Sequence, residues 1–364
     1  MIWLTIFTMF LGLLLFRKSN IALFCLGFCL FYYNSQFDYL YYKNGATEAG
    51  LISGYIYYYI SLYLFIFFIF ITLILQPYRR ISFVNYDSAK KKSSFLYGLI
   101  SILAFFYVVD VSSLATSSRP AMTDFGYLVS MLLFVSSFLS LSSGLKFFGV
   151  IQLLFLLFLS KLLFLLVIIY FICVSDKIKG VNLYIVTIFL IFVFFGWGLL
   201  QDNLNYSAES ESVNQFLSID FFFNYVIEGA TSITSQVQRA GDPDFGLSLV
   251  ISALLRLIPG SILREYGLNL VPEGISESIV ISGVESSIIH FGILGPIFFA
   301  SITCILLLFF NRSKYSYVKF ICCVSIFFFL RSGSFSFVNN LIVLLVLFVF
   351  NFFLILSFNL FIRK

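Results

Sequence analysis

Residues 147–175 read FFGVIQLLFLLFLSKLLFLLVIIYFICVS, an apolar run in which Lys161 is the only charge. About 20 apolar residues suffice to cross the roughly 30 Å of bilayer hydrocarbon, so this run is long enough to span a membrane. Lys146 precedes it and Asp176-Lys177-Ile178-Lys179 follows it, and both flanks have the basic character of cytoplasmic connectors. A single span cannot begin and end on one side. The run is therefore expected to be a tight pair of short spans that breaks near Lys161; one long tilted span would invert the parity of everything downstream.

Working outward, similar blocks lie at about 1–16, 21–33, 51–75, 94–109, 125–144, 181–200, 286–310, 318–330 and 341–361. The 364 residues are 61% hydrophobic and 11% charged, with a mean hydropathy of +1.03. Soluble domains carry about 45–50% apolar and about 25% charged residues. A soluble enzyme is excluded on this ground, as are disordered, collagenous and nucleic-acid-binding chains. The expected fold class is all-α: a polytopic membrane helix bundle of about 11 spans, range 10–12. No internal repeat is evident. The N-terminal MIWLTIFTMFLGLLLF has no basic residue ahead of its apolar core, and Arg17-Lys18 follow it. That order suits a first span entering from outside, not a cleaved signal peptide.

Charge is segregated. Of 17 acids, 11 lie between Asp202 and Glu285, a stretch with Arg239, Arg256 and Arg264 but no lysine. Lysines gather elsewhere, as at Lys90, Lys91 and Lys92. By the positive-inside rule, Arg17-Lys18, 76–93, 311–319 and the Arg363-Lys364 tail are cytoplasmic, whereas 34–50, 110–124, 201–285 and 331–340 face outward. This divides the chain into N-terminal spans (1–200), a long outer loop (201–285) and C-terminal spans (286–364).

The outer loop has elements of its own. FLSIDFFFNYVIEGA (216–230) reads as an interfacial helix. In GDPDFGLSLVISALLRLIPG (241–260), Asp242 suits a cap, Pro243 the first helical position, and Pro259-Gly260 a stop. Ser248, Ser252 and Arg256 then share one stripe of an otherwise apolar helix. Asp242 and Asp244 also have the spacing of a metal-holding Asp-x-Asp element, but the capped turn is the simpler reading.

Soluble-enzyme signatures are absent: there is no P-loop, GxSxG or HExxH, and histidine occurs once. The six cysteines lie in apolar blocks and read as small core filler. The tyrosines from Tyr32 to Tyr59 read as an aromatic belt. What stands out is the outward set Arg119, Arg239, Arg256, Arg264 and Arg331. Arginine grips phosphate oxygens bidentately, which lysine does not. Glu285 and His290 stand where the outer loop re-enters the membrane, placed as candidate base and orienting partner.

SSRP (117–120), ESSIIHFGILGP (285–296) and FLRSGSF (329–335), with the late outer loop and its arginines, resemble the Wzy-type O-antigen and capsule polymerases, membrane glycosyltransferases of GT-C-like fold. The resemblance implies an inner-membrane transferase active on the periplasmic side. It would move a growing glycan from its undecaprenyl-diphosphate carrier onto a new lipid-linked unit, with no cofactor or metal and with a Wzz-type chain-length regulator as a possible partner. It assigns Arg239 and Arg331 to the donor diphosphate, with Arg119, Arg256 and Arg264 as further binding residues. Glu285 and His290 fall at the re-entry, and Gly292 and Gly295 match its glycines. O-antigen ligases tend to carry His-x-Asn there, which this chain lacks. The competing readings are a lipid-linked oligosaccharide flippase, a ligase-like transferase and a membrane acyltransferase.

Overall fold

A computed structural model describes residues 20–22, 24–25, 88–109, 124–175, 182, 185, 245, 247, 251 and 283–362. The described part is all-helical, with no strand among the described residues. Its elements are α1 (Ser88–Val108), α2 (Asp124–Ser142), α3 (Lys146–Leu159), α4 (Lys161–Val174), α5 (Gly283–Phe291), a 3₁₀ turn (Gly292–Leu294), α6 (Gly295–Arg312) and α7 (Ser316–Ile362). Lys90–Val108 and Asn340–Ser357 are long and apolar enough to cross a membrane, and five shorter apolar helices accompany them. Large apolar side chains also stand on the outside, among them Leu103, Phe106, Phe147, Phe352 and Phe353. A lipid-facing surface has this character.

The chain forms two compact units. One comprises Ile81–Ile172, Ile188–Val213 and Leu341–Lys364; the other comprises Met1–Arg80, Cys173–Thr187 and Asn214–Asn340.

In the first unit, α1 buries Ser93, Ser94, Tyr97, Gly98, Ser101 and Phe105, which recur at helical spacing on one face. Most are small. Between helices in lipid there is little hydrophobic drive, so small residues that admit close approach, and hydroxyls that bond across, take its place. Ser101 Oγ donates to the Gly98 carbonyl (2.8 Å) and pairs with Ser136 Oγ of α2 (2.9 Å). Ser93 Oγ donates to Asn351 Oδ1 of α7 (2.9 Å). Other α2 hydroxyls are satisfied within their own helix: Ser130, Ser137 and Ser142 donate to the carbonyls of Gly126, Phe134 and Phe138. This back-bonding satisfies these three hydroxyls of a serine-rich segment within an apolar bundle.

Gly144 (φ 86°) ends α2 in the left-handed region that a glycine adopts without strain. Leu145 N–H donates to the Ser140 carbonyl and Gly144 N–H to that of Leu141, the two bonds of a Schellman cap. Then α3 returns antiparallel, with Gly149 lying against Leu141. α1 runs parallel to α3, since Phe95 meets Phe148 (5.1 Å between ring centroids) and Phe105 meets Phe155 (4.7 Å).

The 147–175 run is two helices. Ser160 is extended (φ −150°, ψ 104°), its carbonyl accepts from Phe164 N–H, and α4 starts at Lys161. The chain turns there: the Tyr170 ring lies 5.3 Å from that of Phe138. The hairpin places Phe138 level with Gln152, and a straight continuation of α3 would carry Tyr170 about 27 Å beyond that level.

In the second unit, the proximal part of α7 is buried nearly all round from Lys319 to Leu330, as a central helix must be. Phe24 meets Phe327 edge-on, and Asn20 Nδ2 donates to the Ser175 carbonyl (3.0 Å). Cys323 hydrogen-bonds Cys173, with Cys25 and Cys322 close by, and every described cysteine is buried. That agrees with a core-filling role. Two boundaries differ from the sequence reading. Lys319, expected in a cytoplasmic connector, is buried in the first turn of α7 with Nζ 5.1 Å from the Phe310 ring centroid. The expected 331–340 connector is helical, interrupted only at Gly333. Apart from Arg331 its polar residues are Ser and Asn, which a helix accommodates when neighbouring helices supply partners.

Candidate functional site

The segment GVESSIIHF, expected from the sequence to re-enter the membrane, forms α5. At its start Gly283 lies so close to α7 that an added Cβ would fall on the Phe329 carbonyl and touch the Phe299 ring. Only glycine permits such backbone contact. Ser287 Oγ donates to the Gly283 carbonyl (2.6 Å), and Phe299 stacks on Phe329 (5.5 Å). The approach has a direct result for the expected site. Glu285 and Arg331 each lie two residues beyond it, so their backbones occupy one neighbourhood.

Just past Arg331, Gly333 breaks α7 with φ 71° and ψ −174°, a conformation essentially restricted to glycine. A break of this kind leaves backbone carbonyls at the end of one half-helix and N–H groups at the start of the next without intrahelical partners. The N-terminal half-turn carries partial positive charge and suits an anion.

At its other end, α5 stops at Gly292 (φ 54°), and α6 begins after a single 3₁₀ turn with Pro296 in its first turn. His290 is buried. Its carbonyl accepts from Phe245 N–H at 2.9 Å, and its ring meets Phe291 edge-on. Phe245 adopts φ 51°, an uncommon backbone for an aromatic residue. Phe245 is thus tied to the end of α5. Leu247 and Ile251 are helical, as expected for the segment after Pro243, and both are exposed.

Glu285, His290 and Arg331 are therefore carried by two helices in contact. Arg119, Arg239, Arg256 and Arg264 lie outside the described residues, as do Asp242 and Asp244. No cluster of three or more metal-ligating side chains occurs among the described residues. The sequence reading overlooked Gly283, Gly333 and Phe245. The glycines sit in serine-rich stretches (ISGVES and RSGSFS) that look like ordinary polar turns, and a positive φ at phenylalanine has no local signal. No known protein family, curated protein or solved structure matches the chain.

Proposed function

We propose that the protein is a membrane glycosyltransferase that polymerises polyprenyl-diphosphate-linked oligosaccharides at the outer face of a bacterial inner membrane. The observation that carries this reading is the Gly283–Phe329 approach, which gathers the Glu285 and Arg331 segments beside a broken helix. A diphosphate donor calls for that chemistry. An arginine binds the phosphate oxygens as a fork, and the half-helix beyond Gly333 adds its dipole.

In the proposed reaction, a hydroxyl of the acceptor sugar attacks the anomeric carbon of the donor. The bond from that carbon to the diphosphate oxygen breaks, and polyprenyl diphosphate departs with the electron pair. The hydroxyl proton passes to Glu285. Arg331 and Arg239 neutralise the charge that grows on the leaving phosphate, an interaction stronger in the transition state than before it. Arg119, Arg256 and Arg264 hold the second lipid-linked unit, and His290 orients the re-entry.

The test is a deletion strain whose surface lipopolysaccharide or capsule is resolved on a gel. Loss of the ladder with a single capped repeat retained is the expected result, and Arg331→Ala and Arg239→Ala reproduce it in inserted protein. Loss of every repeat replaces this reading with a flippase or a ligase, according to the membrane face on which lipid-linked material accumulates. A normal ladder in both variants refutes the arginine assignment.

A further inference from the structure

Gln152 of α3 is completely buried, and neither its Oε1 nor its Nε2 has a hydrogen-bond partner among the described residues. A buried amide is costly while it lacks a hydrogen-bond partner, so a side chain of this kind needs something to bind. Its surroundings are polar. The amide nitrogen rests against Gly98 of α1, in the notch left by the missing Cβ and beside the edge of Phe148. One turn along α1, Ser101 pairs with Ser136. Because α1 and α2 are antiparallel, the turn after Ser136 comes level with Gly98, and it carries Ser140. The Ser140 hydroxyl is also buried and has no partner among the described residues.

Two unsatisfied groups thus stand at one height where three helices meet, one able both to donate and to accept, the other a hydroxyl. The nearest lysines of these helices, Lys92 and Lys146, are each six residues from that level, about 9 Å along the axis. A charged ligand is therefore disfavoured. The bound group must be neutral, small, and both donor and acceptor.

We propose that Gln152, Ser140 and the Gly98 notch form a hydration site inside the helix bundle, where the flexible amide yields space to one or two water molecules. Water offers two donors and two acceptors, enough to join the amide to the Ser140 hydroxyl and the adjacent Ser101–Ser136 pair.

The experiment is brief X-ray radiolysis of the full chain in lipid nanodiscs prepared in ¹⁸O-water. Hydroxyl radicals made from bound water mark the side chains beside it, and mass spectrometry reads the label. Phe148 is expected to take up ¹⁸O, while the buried Phe105, farther along α1, remains unlabelled. Gln152→Leu should lower the Phe148 label by about fivefold or more, and Gly98→Ala, which fills the notch, should do the same. The Gly98→Ala result decides if Gln152→Leu does not fold. Wild-type Phe148 labelled no more than Phe105 overturns the proposal, and so does an unchanged label in a folded variant.

Discussion

A Cβ on Gly283 would coincide with the main-chain carbonyl of Phe329, so α5 and α7 meet backbone to backbone. A flexible side-chain tip could move aside, but a carbonyl locked in a helix cannot. Gly283→Ala is therefore expected to destabilise the protein by about 1–3 kcal/mol. Scanning fluorimetry in detergent should show a clear fall in Tm, whereas Ile305→Ala at an exposed position should leave it nearly unchanged. An unaltered Tm for Gly283→Ala would mean that the two helices separate easily.

Gly333→Ala tests the break in α7. The observed φ and ψ cost a non-glycine residue on the order of 1–3 kcal/mol. Straightening α7 would relieve that strain and displace Arg331 from its place beside α5. The expected outcome is a protein that still inserts, with lowered Tm and no surface polymer. Wild-type polymer from this variant would separate the break from activity.

The Ser93–Asn351 hydrogen bond joins α1 to the distal part of α7. A double-mutant cycle with Ser93→Ala and Asn351→Leu should give a coupling energy of about 0.5–1.5 kcal/mol, the range for hydrogen bonds between membrane helices. Additive effects would show that the bond contributes nothing net.

Arg331→Lys preserves charge but removes the fork. If Arg331 grips a diphosphate, turnover should fall by roughly 10²-fold while expression stays normal. A lysine variant with full activity would leave only a general need for positive charge at that position.

Phe245→Pro removes the N–H that reaches the His290 carbonyl and cannot adopt the observed φ, whereas Phe245→Gly keeps the donor and eases the left-handed backbone by about 1 kcal/mol. Limited proteolysis of the 201–285 loop should accelerate in the proline variant and not in the glycine variant. Equal cutting in both would mean that this tether does not restrain the loop.

The helical character of the chain was legible because apolar blocks and their basic borders follow from lipid physics alone. The break in 147–175 was legible too, since equal flanking charges forbid a single span, and it falls at Ser160. The contacts between helices were not. Ser94, Gly98 and Ser101 are individually unremarkable, and their role appears only when α2 and α3 lie against them. Gly283 and Gly333 were obscured for a related reason. In a sequence a glycine among serines suggests a loop, but in a membrane bundle it also marks where two backbones touch or a helix changes direction. The backbone neighbourhood shared by Glu285 and Arg331 was not legible at all, because it depends on the close approach of Gly283 to Phe329.

The turn at Ser160 also bears on how the protein is made. As residues 147–175 leave the ribosome they form one unbroken apolar block with no polar connector, and nothing local to Ser160 compels a reversal. A run of this length is long enough to cross a bilayer as one straight helix. α4 instead folds back so that Tyr170 meets Phe138 of α2. Packing thus secures a reversal that its own residues mark only lightly, through two aromatic rings far apart in sequence.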